Sequence, residues 1–114
     1  MGAPLRGKVV VLPFPFSDLS NVTKRRPALV VADLTGDDVI LCQITSQNTQ
    51  KDSYSVAITK ADFSTGSLNQ DSNVRPNRLF TADSNIIAYE VGTLKDDKFE
   101  EVLKMLVAII TGQI

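Results

Sequence analysis

Arg25 and Arg26 stand side by side in "VTKRRPALVVAD", directly before Pro27 and an apolar run. A strand needs no pair of cations at its mouth for stability, so the pair asks for a ligand. Thr45 and Ser46 close a second apolar run in "QITSQ", and Arg75 and Arg78 punctuate "SNVRPNR". Guanidinium groups present planar forks of donors, and hydroxyls add single donors. Together they suit an anionic oxygen group, above all a phosphate. The turn formers "TGDD" between residues 33 and 39 make the two apolar runs a hairpin. Antiparallel neighbours lie roughly 5 Å apart, which lets Arg26 and Thr45 converge on one small group.

Other chemistries lack their residues. The chain has no histidine, which removes the commonest general base and the commonest metal ligand. Cys42, the single cysteine, lies inside an apolar run and reads as a small core hydrophobe. Asp37-Asp38 reads as a turn and Asp96-Asp97 as a helix start. No metal site or bound cofactor is expected. Phosphate-binding glycine loops, zinc-protease helices and nucleophile elbows are missing from the sequence.

Short β-strands must position these groups. Residues 8–12 form the first, stopped by Pro13 and Pro15, and a polar loop of about ten residues follows. Residues 27–33 and 38–45 form the hairpin, and residues 54–59 alternate as another strand. Residues 64–71 read as a loop, and "SNVRP" and "RLFTA" as two short strands separated at Pro76. "NIIAYEVG" reads as a strand or a short helix. In "DDKFEEVLKMLVAIITG" the period becomes helical, with Asp96 and Asp97 placed to cap the start and Gly112 to stop the end. Its last two turns are apolar nearly all round, more than one sheet can cover, which predicts a subunit interface.

The 114 residues suffice for one domain spanning 1–114, with 43% apolar and 22% charged residues. Twelve basic side chains face 13 acidic ones, net charge −1, so any basic site must be local. The N-terminal apolar stretch is too short and Pro-broken for a membrane span, and the expectation is a cytoplasmic protein.

The stretch "GKVVVLPFPFSDLSNVTKRRPALVVAD" closely resembles the opening of the MazF/PemK family of toxin–antitoxin ribonucleases, and its "FPFSDLS" wording a PemK-like subgroup. "CQITSQ", "SNVRPNRLFTAD" and the closing amphipathic helix follow in the family's order, so the resemblance covers almost the whole chain. It implies a mainly β fold, an SH3-like MazF/CcdB-type β-barrel with a C-terminal α-helix. It also implies a homodimer, a cognate antitoxin, and metal-independent cleavage of single-stranded RNA, usually mRNA. By position Arg26 and Thr45 match the family's catalytic pair. Arg75 matches an RNA-binding arginine, and Arg25, Ser46, Gln47 and Phe16 join it as RNA contacts. Ser72 and Asn73 stand where many members carry an acidic residue and a glutamine, with Asp71 one place early. Two other readings stay open: a gyrase-binding toxin of the CcdB type, and an inactive RNA-binding member.

Overall fold

The computed structural model of the protein describes residues 4–14, 24–46 and 52–114. Seven strands run in the order β1 (Lys8–Phe14), β2 (Lys24–Asp33), β3 (Asp38–Thr45), β4 (Val56–Ile58), β5 (Phe63–Gly66), β6 (Ser72–Asp83) and β7 (Tyr89–Leu94). One helix, α1 (Asp96–Ile110), closes the chain. The strands make one antiparallel sheet of order β4-β6-β3-β2-β1-β7-β5.

Laid flat, seven strands would span about 29 Å between the outermost two. Yet Phe63 of β5 and Val56 and Ile58 of β4, from opposite ends of that order, share one apolar cluster. The sheet therefore curls into a half-barrel. The cluster holds Val9, Leu29, Cys42, Ile44 and Val74, and α1 lays Phe99 and Val102 onto it. The other face carries a second cluster of Val10, Leu12, Phe14, Ala28, Val30, Val39 and Leu41. Phe14 meets Phe80 there edge-on, centroids 5.1 Å apart. Strict alternation along β1 and β2 delivers these two faces. Cys42 is fully buried, and burial pushes its thiol up to about 12.

Whether a proline stops a strand depends on which neighbour its nitrogen faces. The Val11 carbonyl accepts from Ala88 N on the β7 side, and backbone groups alternate in direction along a strand. The nitrogen of Pro13 therefore also faces β7, whose pairing with β1 has ended at Val11↔Tyr89. With no neighbour to donate to, Pro13 does not stop β1, and the strand continues to Phe14.

Other elements depart from the sequence reading. "SNVRP" and "RLFTA" are one strand, because β6 bulges rather than breaks at Pro76. Between Cys42↔Leu79 and Gln43↔Arg75, β6 advances four residues against one, and Pro76 is buried in the bulge. Part of the expected loop is strand β5, held by β7. The strand read at 54–59 is shorter, Val56–Ile58, because residues 52–55 form a turn with Ser55 N on the Asp52 carbonyl. "NIIAYEVG" divides into a 3-10 turn at Ser84–Ile86 and the start of β7.

The N-cap of α1 is Lys95, with no side-chain cap, so Asp96 and Asp97 fall in the first turn. They favour the helix dipole there without capping it. Gly112 does end the helix. Its φ is 72°, Gly112 N donates to the Ile109 carbonyl and Gln113 N to that of Ala108, a Schellman closure. Beyond Phe99 and Val102 the helix is only partly covered, and Val107 and Ile110 are 58% and 69% exposed.

Charge separates along the β2–β3 hairpin. Arg25 and Arg26 lie at its open end, and Asp33, Asp37 and Asp38 at its turn, with Asp83 directly across from Asp38.

Gly66 and Gly92 face each other where β5 meets β7. A Cβ on Gly92 would collide with the Thr65 carbonyl oxygen and crowd the Gly66 Cα, both backbone atoms that cannot rotate away. Gly92→Ala should therefore destabilise the protein by about 2 kcal/mol or more. Urea unfolding checks this, and an unchanged midpoint would show that the two strands separate freely.

Candidate nucleic-acid interface

Pro27 opens the site. Val30 accepts from Gly7 N on the β1 side, so alternation turns the Pro27 nitrogen toward β3. There it would sit opposite Ile44 in the next bonded pair, but proline has no N–H to give. The β2–β3 ladder ends one residue earlier, at Ala28↔Gln43. Neither neighbour stops with it: β2 runs on along β1 to Lys24, and β3 along β6 to Thr45. The two strand ends therefore form a mouth without a ladder between them.

Counting on two residues from Ala28↔Gln43 brings Arg26 opposite Thr45. Arg75 pairs with Gln43, so alternation puts Arg26, Gln43, Thr45 and Arg75 on one face of the sheet. They line a cleft of about 1030 Å³ with Arg25, Ser46 and Arg78. Arg25 belongs to the opposite face by the same alternation and reaches the cleft around the strand ends. Arg26 and Arg25 are exposed, Thr45 and Arg75 half-buried. Phe16 and Gln47 lie outside the described residues. Phe14 also lines the cleft but is 3% exposed and packed in the core, leaving no face for stacking.

Among the described residues, four arginines and one carboxylate, Glu90, line the space. Glu90 is engaged by Lys8 Nζ at 2.8 Å. Among the described residues no carboxylate lies within ion-pair reach of Arg25, Arg26 or Arg78. A chain of net charge −1 thus concentrates positive charge at one mouth. Asp71 does not line the cleft. Ser72, at the position where an acidic residue was considered, is buried and donates through Oγ to the Gln70 carbonyl at 3.0 Å. Among the described residues no group of three or more His, Cys, Asp or Glu could hold a metal ion.

Four contributors were missed in the sequence. Tyr89 lines the cleft with 55% of its surface exposed, an aromatic face open to stacking. Its only signal was an aromatic in the ambiguous "NIIAYEVG". Asn69 and Gln70 add amide groups from the segment joining β5 to β6. Asp52 holds Arg75, with Nε donating to Oδ2 at 3.1 Å across 23 residues of sequence. No local pattern marks such a contact.

Comparison with known proteins agrees with this architecture. The fold is similar to a MazF from Deinococcus radiodurans, with a TM-score of 0.75 and 19% identity over 97% of this chain and 99% of that one. It is similar to an endoribonuclease from a mycobacterial species, at 0.70 and 21% over 98% and 94%. It is also similar to the Mycobacterium tuberculosis toxin MazF-mt6, at 0.70 and 15% over 91% and 96%. Related structures hold an antitoxin, among them a mycobacterial endoribonuclease with its cognate antitoxin, TM-score 0.67, identity 21%, coverage 96% of both chains. No curated protein sequence matches this chain. Residues 5–110 match the family model of PemK-like, MazF-like toxins of type II toxin–antitoxin systems, and the chain belongs to that family.

Proposed function

We propose that the chain is an endoribonuclease cutting single-stranded RNA, mRNA above all, at the Arg26–Thr45 mouth without a metal ion. The observation that carries this reading is the cleft itself, where Arg25, Arg26, Arg75 and Arg78 gather with the hydroxyls of Thr45 and Ser46 on a chain of net charge −1. Neighbours of the same fold named endoribonucleases support it.

RNA brings its own nucleophile, the 2′-hydroxyl beside each phosphate. The protein need only align that group in line with the leaving 5′-oxygen and stabilise the pentacoordinate phosphate. Arg26 binds the non-bridging oxygens as their charge builds, and the Thr45 hydroxyl donates a further hydrogen bond. Arg25, Arg75 and Ser46 hold neighbouring phosphates, and Tyr89 offers a stacking face for an unpaired base. A guanidinium has only N–H donors and a threonine hydroxyl is a poor proton acceptor, so the 2′-hydroxyl proton passes to solvent water and the departing 5′-oxygen takes one up from water.

Arg26→Ala should lose about a hundredfold or more in rate, on the order of 3 kcal/mol, while the protein stays folded. An exposed strand-end arginine contributes little to stability. Thr45→Ala should behave alike and Ser46→Ala more mildly. Gel assays of oligonucleotide cleavage check this, and a full-rate Arg26→Ala protein would remove the assignment.

Cleavage in excess EDTA should persist and leave a 5′-hydroxyl and a 2′,3′-cyclic phosphate. Deoxyribose at the single position 5′ of the cut should block the reaction and leave a competitive inhibitor. A 5′-phosphate product, or efficient cutting of the deoxy-substituted strand, would mean that water attacks instead.

We further propose a cytoplasmic homodimer regulated by a cognate antitoxin. No described helix is long and apolar enough to cross a membrane. The part of α1 left open by the sheet forms an apolar groove of about 540 Å³ lined by Leu103, Val107 and Ala108. A face of that kind on the surface of a small protein marks an interface. An antitoxin laying carboxylates over Arg26 and Arg75 would occupy the phosphate sites. Light scattering should give twice the chain mass at micromolar concentration; a stable monomer would overturn the dimer.

A further inference from the structure

We propose that Asp52 is a positioning residue that sets Arg75 for phosphate binding, although it adds negative charge beside an anion site. The inference rests on the nucleic-acid reading of the cleft.

The carboxylate is built into its place. Asp52 Oδ1 accepts from Tyr54 N at 3.0 Å, and the Asp52 carbonyl accepts from Ser55 Oγ at 3.1 Å and Ser55 N at 3.3 Å. These bonds close a tight turn before β4 and fix the direction of the second oxygen. Oδ2 then meets Arg75 Nε at 3.1 Å, with the two side chains 13% and 25% exposed. A half-buried contact of this kind is screened less than a surface pair.

Which nitrogen is taken decides the consequence. A carboxylate placed end-on to a guanidinium would occupy its terminal fork and compete with a phosphate for it. Here the contact is through Nε, on the side of the group. The guanidinium is rigid and planar, so fixing Nε fixes the plane of both terminal nitrogens. Arg75 lines the cleft from the same sheet face as Arg26 and Thr45. An arginine held this way binds an anion without first losing the freedom of its long side chain.

The proposal opposes simple electrostatics in sign, which makes it testable. Removing a negative charge from the wall of a cationic cleft should tighten binding of a polyanion if charge alone matters. Losing a positioning residue should loosen it. Asp52→Asn separates turn from contact: asparagine has one side-chain carbonyl oxygen, which can serve Tyr54 N, and its NH₂ then faces the Arg75 Nε–H.

The probe is a short, mixed-sequence, fluorescein-labelled single-stranded deoxyoligonucleotide, read by anisotropy, so no cleavage is required. Asp52→Asn should weaken binding about tenfold with an unchanged melting temperature. In an Arg75→Ala background the same change should no longer weaken it. Asp52→Ala, which also opens the turn, should weaken binding at least as much.

Binding by Asp52→Asn as tight as wild type, or tighter, would overturn the proposal. So would equal weakening in the Arg75→Ala background, which would trace the effect to the turn. A wild-type protein that binds but cuts no RNA would remove the nuclease reaction and leave Asp52's role standing. One that does not bind would remove both.

Discussion

A missing hydrogen at Pro27 organises this end of the molecule. In a curled sheet every interior strand is bonded on both sides, and a side chain at a strand end has little room beside its neighbour. Because Pro27 cannot donate toward β3, β2 and β3 lose their shared ladder while each keeps its other partner. The backbone there is held from outside and open within. Arg26 and Thr45 face each other across that gap, carried on strands that pairing elsewhere keeps rigid. Such a site is positioned by the sheet rather than by loops.

The bulge in β6 completes the arrangement from the other side. Three extra residues, Pro76, Asn77 and Arg78, are taken up between Gln43↔Arg75 and Cys42↔Leu79. A bulge re-aims the side chains around it and sharpens the local twist. One strand can thereby bring Arg75 and Arg78 to the mouth and still send Phe80 into the second cluster against Phe14. A regular strand of the same length would keep one alternation throughout. The bulge also buries Pro76 where its absent N–H breaks no ladder bond.

Much of this was legible in the residues. The apolar runs of β1, β2 and β3, the change to helical period at Asp96 and the glycine stop at Gly112 are local signals, and the fold follows them. The sequence order of Arg26, Thr45 and Arg75 located the cleft, because strand ends are countable once a hairpin is assigned. What was not legible depends on partners far along the chain. Whether Pro76 ends a strand or swells it depends on β3, and whether Pro13 ends β1 depends on how far β7 reaches. Asp52 sits among polar residues that look alike until the fold brings Arg75 beside one of them. Asp96 and Asp97 were displaced by one position, because the chain enters the helix at Lys95 and a cap is set by entry geometry.

The separation of charge along the β2–β3 hairpin has a consequence for how the protein meets other molecules. Asp33 lies seven positions beyond Arg26, roughly 23 Å of extended chain. The screening length at physiological salt is only about 8 Å. An anion seated among the arginines is thus insulated from the aspartates, and the chain's balanced total charge says nothing of what it feels there. From farther off, in dilute salt, the same arrangement is a dipole. A polyanion's field exerts a torque on it, swinging Asp38 and Asp83 away and the arginine mouth forward. A net charge near zero then gives little long-range attraction or repulsion, while the separation of charge still sets which end of the hairpin an approaching anion meets first.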